Sequence, residues 1–372
     1  MDNYVSSLMS VLLQSISLVL WRGWANPIVV SETRIIDASD PAVQNKVVKE
    51  AVDLLEAGEV IALPTETVYG LAADALNPEA VAKVFAAKER PAFDPLIVHV
   101  GSYEQVDEVA EVPEDIQEVV AKLMKAHWPG PLTLVLPKKD CVPDIVTSGL
   151  PTVAVRMSGH PIMKAVVRAL GKPVAAPSAN RFGRISPTSA SAVEKELSGR
   201  IPVIIDGGAC REGLESTIIR PEAGEKRPVL HVLRAGPVTK EMLQRFGKIE
   251  RPKKNIANEA PEAPGQLASH YAPVTPLRLL KSFSDFKPEE GKKYGLLSYC
   301  GAEKTGFING HDWAHVEELS PGNGKLAEAA VRFFFTLRQL DESGVDEIIA
   351  EPVSETGLGV AIMDKLRRAS VR

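Results

Sequence analysis

The segment Pro173-Val174-Ala175-Ala176-Pro177-Ser178-Ala179-Asn180 runs from apolar residues into small hydroxyl and amide side chains, and Arg181, Arg184 and Ser186-Pro187-Thr188 follow. Ser186 suits a helix N-cap and Pro187 the first helical position, where a missing N–H costs nothing. A helix opened there would turn free backbone N–H groups and a positive dipole end toward the same small cavity. Guanidinium groups, small polar side chains and a helix N-terminus together describe a receptor for phosphate or carboxylate. Taken alone, the segment is equally an ordinary strand-loop-helix connection with solvated arginines. A second segment of the same character shifts the balance. Pro64-Thr65-Glu66-Thr67-Val68-Tyr69-Gly70 follows the apolar run Val60–Leu63, and Lys88-Glu89-Arg90-Pro91 and Pro95-Leu96-Ile97-Val98-His99-Val100 come after it.

The elements that must hold these groups are legible around them. Asp40 and Pro41 have the form of an N-cap and first helical residue, with Val43, Val47, Ala51, Leu54 and Leu55 at helical spacing until Gly58. Asn77-Pro78 opens a second helix, with Val81, Val84, Phe85 and Ala86 on its buried side. Short apolar runs recur at Leu96–Val100, Leu132–Leu136, Val153–Val155, Val174–Ala176, Val203–Ile205, Thr217–Ile219 and Leu230–Leu233. Many strands with intervening helices predict an α/β catalytic domain on a mixed, twisted sheet, some late strands pairing antiparallel. From Gly247 the composition turns to Lys, Pro, Asn, Glu and Ala without apolar periodicity, which reads as a linker. Beyond Pro276, strands at Leu277–Leu280, Tyr294–Ser298 and Glu347–Ala350 alternate with helices near Lys325–Leu340 and Leu358–Ala369. That alternation predicts a smaller C-terminal Rossmann-like α/β domain, and neither G-x-G-x-x-G nor Walker A occurs in it.

A chain of 372 residues, 45% hydrophobic and 24% charged, suits a two-domain globular protein. A net charge of -5 argues against broad coating of nucleic acid. Cys141, Cys210 and Cys300 lack metal-like spacing and read as reduced cytoplasmic thiols. The N-terminal apolar stretch is interrupted by Gln14, Ser15 and Ser17, and no Lys or Arg precedes it. It fits a signal peptide and a membrane span poorly, with a membrane-associated N-terminus as the lesser alternative to a plain extension. The expected division is residues 1–31 as a non-catalytic extension, 32–246 as the catalytic domain, 247–275 as linker and 276–372 as the second domain.

These segments resemble the threonylcarbamoyl-AMP synthase family in its longer two-domain form, from about residue 32 onward. Further matches, in the family's order, are Trp128-Pro129-Gly130-Pro131-Leu132-Thr133, Val153-Ala154-Val155-Arg156, Asp206-Gly207-Gly208, Glu215-Ser216-Thr217-Ile218, Leu233-Arg234-Ala235-Gly236 and His270-Tyr271-Ala272-Pro273. The resemblance implies a synthase that joins L-threonine, bicarbonate and ATP into threonylcarbamoyl-AMP, releasing pyrophosphate. A partner threonylcarbamoyl transferase would then modify tRNA. Such a step needs positioning, cationic groups and exclusion of water more than covalent help, so no catalytic residue is assigned.

The resemblance places Thr65, His99, Arg156, Ala176 and Ser216 around threonine. Arg156 suits bidentate carboxylate recognition. It places Lys88, Arg90, Thr133, Ser178, Asn180, Ser186, Arg234 and Tyr271 around ATP, with Arg181 or Arg184 adding positive field. Mg2+ is expected to ride on the ATP phosphates, since no carboxylate cage is evident. Asp206 is a supporting acid or simply a turn aspartate. The implied interdomain segment folds over the site mouth with Tyr271 against the nucleotide, although Gln266-Leu267-Ala268-Ser269 stands where many relatives carry a lysine. An RNA-binding module of the same fold is the alternative from another class. Acidic charge and absent RNA motifs count against it.

Overall fold

Asp40 caps the first helix by accepting the Ala42 N–H at 2.9 Å, and Pro41 stands at its first turn. Asn77 does the same for the second, accepting from Glu79 and Ala80. There Ala87 and Lys88 are buried, whereas Ala86, expected inside, is exposed. These are local sequence rules surviving intact in the computed structural model, which describes residues 32–250 and 261–371. The N-terminal extension and the centre of the expected linker lie outside those residues.

The first unit runs β1 (Arg34–Asp37), α1 (Pro41–Glu56), β2 (Ile61–Leu63), β3 (Gly70–Asp74), α2 (Pro78–Lys88), β4 (Ile97–His99), α3 (Glu104–Val109), α4 (Gln117–His127) and β5 (Leu132–Pro137). It continues with α5 (Asp144–Thr147), β6 (Thr152–Arg156), α6 (Pro161–Leu170), β7 (Val174–Ala175), α7 (Ala190–Leu197), β8 (Val203–Asp206), β9 (Thr217–Glu222), β10 (Val229–Arg234), α8 (Lys240–Leu243) and β11 (Lys248–Glu250). Its sheet has the order β1-β8-β2-β3-β7-β4-β6-β5-β9-β10-β11. Pairing is mixed: β4 runs parallel to β6, while β7 is antiparallel to both β3 and β4. Strands covered on both faces are apolar throughout, as Ile61-Ala62-Leu63 shows.

The second unit consists of β12 (Leu277–Leu279), β13 (Tyr294–Ser298), β14 (His315–Glu318), α9 (Leu326–Glu342), β15 (Glu347–Ala350) and α10 (Gly359–Ala369). Its four strands lie in the order β12-β15-β13-β14, all parallel. The fold is thus the expected mixed sheet with a smaller parallel α/β unit.

Two expectations are corrected. The segment opening at Gly247 is not linker throughout, because Lys248–Glu250 pairs in parallel with β10 as an edge strand. Ser186 does not open a helix. Pro187 instead gives its carbonyl to the Tyr69 N–H at 2.9 Å, a contact to a distant loop that holds the segment extended. The helix starts at Ala190, with Ser189 accepting the Ala192 N–H as its N-cap.

The units meet through specific contacts. Arg338 of α9 pairs with Glu196 at 3.1 Å and donates to the Ile185 carbonyl at 2.9 Å. At Gly213 (φ +68°) the approach is backbone to backbone, since a Cβ there would stand 2.4 Å from Val331 Cα.

Candidate active site

The site is assembled from loops at strand ends. Thr65, after β2, donates its hydroxyl to the Val68 carbonyl at 2.6 Å and accepts the Thr67 and Val68 N–H groups. This hydroxyl-built turn fixes the loop before β3. Gly70 bridges in antiparallel fashion to Ser178 of the loop after β7. A Cβ at Gly70 would come within 3.2 Å of the Ala176 Cβ, so the close lacing of the two loops suits glycine. The two segments singled out by sequence therefore form adjoining walls.

Between them lies a small cavity of about 40 Å³. Thr65, His99, Arg156, Ala176 and Ser216 all line it. So do Arg90, Ser178, Arg234 and Tyr271. Lys88, Thr133, Asn180 and Ser186 stand one layer back. Lys88 donates to the Ser178 and Asn180 carbonyls at 2.5 Å each, Thr133 shares a hydroxyl bond with Ser216 at 2.8 Å, and Ser186 donates to Glu215 at 2.5 Å. Asn180 ties its loop together by donating to the Arg181 and Arg184 carbonyls. Neither Arg181 nor Arg184 lines the cavity, and Arg181 pairs with Glu196 instead. Asp206 acts as a turn aspartate, accepting from Gly208 N at 2.9 Å.

At one end of the cavity stands Arg156, at the end of β6. It donates to the Gly130 carbonyl at 3.2 Å and to Thr67 Oγ1 at 2.9 Å, and it faces Glu66 Oε1 at 2.7 Å. A guanidinium has five N–H donors, so two remain for a ligand. Burial raises the Glu66 carboxyl, but Arg156, Ser158 and the Gly159 backbone outweigh it and hold the group at about 2. His99 is buried, its Nδ1 unpartnered among the described residues. Burial first and the Arg156 charge second push its imidazole down to about 3, against a partial counter-pull from Glu66. It is therefore neutral at pH 7.

At the other end the cations accumulate. Arg90 pairs with buried Asp94 at 2.9 Å and donates to the Asp94 and Pro95 carbonyls. Among the described residues Arg234 donates only to neutral acceptors: Ser216 O and Oγ, each at 3.0 Å, and Pro264 O at 3.4 Å. Burial pushes Lys88 well below the ordinary lysine range, and Arg90 adds to the effect. Tyr271, at φ +64°, closes the cavity with its ring against His270 and Phe334. Among the described residues no group of three or more His, Cys, Asp or Glu is placed to hold a metal ion.

Residues 53–236 match the family described as "Telomere recombination", and residues 238–371 match "Threonylcarbamoyl-AMP synthase, C-terminal domain". The threonylcarbamoyl-AMP synthase of Pyrococcus abyssi is 41% identical over 341 residues, covering 87% of this chain and 94% of that protein. The chain belongs to the threonylcarbamoyl-AMP synthase family. The Bacillus subtilis threonylcarbamoyl-AMP synthase is 40% identical, with 92% of this chain and 96% of that one covered. Among solved structures, P. abyssi Sua5 complexed with L-threonine superposes with a TM-score of 0.79 at 40% identity, covering 91% of this chain and 97% of that chain. A P. abyssi Sua5 variant with an adjacent His-Tyr pair changed to alanine gives the same TM-score at 38% identity, covering 91% and 96%.

Family motifs led to the lining hydroxyls and arginines. They assign no role to Glu66, Thr67 or Glu215, although all three stand inside quoted motifs. A carboxylate in an anion site reads as out of place until its counter-ion is seen. Lys365 was missed altogether: it is a lone lysine in an amphipathic terminal helix, yet its side chain is fully buried against Glu215.

Proposed function

We propose that this chain is an L-threonylcarbamoyladenylate synthase, making threonylcarbamoyl-AMP and pyrophosphate from L-threonine, bicarbonate and ATP. The observation that carries the reading is one cavity with an arginine fork having unspent donors at one end and, at the other, Arg234 bonded only to neutral oxygens among the described residues. Two of the Arg156 N–H groups take the threonine carboxylate. Neutral His99 and Thr65 face the amine and hydroxyl without adding charge repulsion. The free amine combines with carbon dioxide, and a carbamate oxygen then attacks the α-phosphorus as pyrophosphate leaves. Arg90 and Arg234, backed by Lys88, stabilise the charge on the phosphates. Tyr271 and the segment around it exclude water from the labile acyl adenylate.

Mg2+ enters as part of the nucleotide substrate, and no protein cage is assigned to it. The product passes to a threonylcarbamoyl transferase that modifies tRNA, and the protein acts in the cytoplasm. No helix among the described residues is long and apolar enough to cross a membrane, in keeping with that placement. A bare RNA-binding role is not favoured, because the buried arginine–carboxylate geometry faces a small cavity.

The test is incubation with ATP, L-threonine and bicarbonate, reading pyrophosphate release and product mass, with L-serine as the control. Threonine- and bicarbonate-dependent release is expected. Release indifferent to threonine, or none, overturns the reading.

A further inference from the structure

Lys365 lies in the second unit, on α10, with 0% of its side chain exposed. Its Nζ stands 3.3 Å from Glu215 Oε2, donates to the Ala235 carbonyl at 3.4 Å and lies 5.4 Å from the centroid of the Tyr271 ring. Glu215 belongs to the first unit and lines the cavity, and its other oxygen accepts the Ser186 hydroxyl. Gly236 holds this segment in place. A Cβ there would stand 2.5 Å from both Glu215 O and Thr217 N, so β10 ends directly against the backbone carrying Glu215.

A carboxylate inside a site for polyphosphate is an electrostatic liability. Left alone, it would repel the ligand or pair with the nearest free cation. Such a cation is Arg234, which lines the same cavity and bonds to the carbonyl and hydroxyl of Ser216, the residue after Glu215. Yet Arg234 makes no ion pair among the described residues, and its guanidinium bonds only to neutral oxygens. The carboxylate is spoken for from the other unit. We infer that Lys365 is a positioning residue for the nucleotide: it takes Glu215 as its counter-ion and so keeps Arg234 free for the phosphates. The second unit thereby contributes to the site electrically, without touching the ligand. Ser186, whose proton goes to Glu215, is left to accept from a ligand donor such as a ribose hydroxyl rather than to donate to phosphate.

This inference rests on the synthase reading of the cavity, and binding measurements on the full chain separate the two. A non-hydrolysable ATP analogue and L-threonine are titrated separately by calorimetry. If the wild type binds neither, the synthase reading fails, and this inference with it. Where it binds both, Lys365→Met is expected to weaken the analogue at least tenfold and L-threonine less than threefold. Adding Glu215→Gln to that variant removes the stranded carboxylate and restores analogue affinity to within about threefold of wild type. Unchanged analogue binding in Lys365→Met, or equal loss of both ligands, overturns the inference. If Lys365→Met alone does not fold, the double variant decides. Recovered analogue binding supports the counter-ion role. A tenfold loss with threonine binding intact shows that Lys365 meets the nucleotide itself, and overturns it.

Discussion

The two ends of the cavity solve opposite electrostatic problems with the same side chain. At the Arg156 end the guanidinium is matched by Glu66, an acid held firmly ionised, and His99 is kept neutral. Charge there is balanced before any ligand arrives. At the Arg234 end, Lys88, Arg90 and Arg234 crowd together; burial first, and a neighbouring arginine charge after it, lower Lys88 and Arg90. The carboxylates at that end are compromised. Burial raises Asp94 against the pull of Arg90, and Glu215 is engaged by Lys365. A balanced end suits a zwitterionic amino acid, which brings one charge of each sign. An end with excess positive charge suits a triphosphate. Identical arginines are thus distinguished by the acids beside them.

The largest effect should come from breaking the balanced end. Arg156→Ala strands Glu66 in a buried place, where an uncompensated charge costs about 3–5 kcal/mol of stability. Urea unfolding should show that loss, and calorimetry should show threonine binding abolished with ATP-analogue binding retained. Equal loss of both ligands would erase the distinction between the ends.

The neutrality of His99 is tested by acid. Its folded value of about 3 lies below the ordinary histidine value, so the unfolded chain takes up the proton first as pH falls. Its stability penalty is absent above pH ~6.5 and grows below it by about 1.4 kcal/mol per pH unit. His99→Gln should therefore have a shallower fall in urea midpoint between pH 6.5 and 5. Buried His270, also pushed well below its ordinary value by burial, leaves a residual slope of the same sign. Identical slopes in variant and wild type would show that folded His99 takes up its proton as readily as the unfolded chain does.

At the positive end, Arg234→Gln keeps donors but removes charge. It should weaken the ATP analogue about tenfold, or ~1.4 kcal/mol, with threonine affinity within twofold. A larger effect on threonine would place Arg234 on the wrong side. The smallest change is expected from Thr133→Val, which removes the hydroxyl shared with Ser216 between the two ends. Its cost should be about 1 kcal/mol in urea unfolding, with both ligands affected to a similar small degree.

How far the sequence discloses this arrangement depends on how local each cause is. Asp40 and Asn77 cap their helices as their own neighbours dictate. The apolar runs become sheet strands, and the motif hydroxyls and arginines converge. Long-range causes escape such reading. Ser186 lies in a run where Ser186, Thr188 and Ser189 are all plausible caps, and what decides among them is the Tyr69 N–H, more than a hundred residues upstream. His315–Glu318 and Lys248–Glu250 are polar edge strands that carry no apolar run to announce them. Glu66 and Glu215 make sense only once Arg156 and Lys365 are placed beside them, and Lys365 arrives from the far end of the chain.

Gly213 sets a constraint of another kind. Where side chains separate two packed surfaces, a changed residue can be absorbed by turning a rotamer. Here main chain meets main chain at Val331, and there is nothing to turn. Along that seam the spacing of the two units behaves as a machined fit, and one added methyl at the contact acts as a shim. Gly213→Ala is thus a way to shift the second unit against the first while leaving every residue of the cavity unaltered.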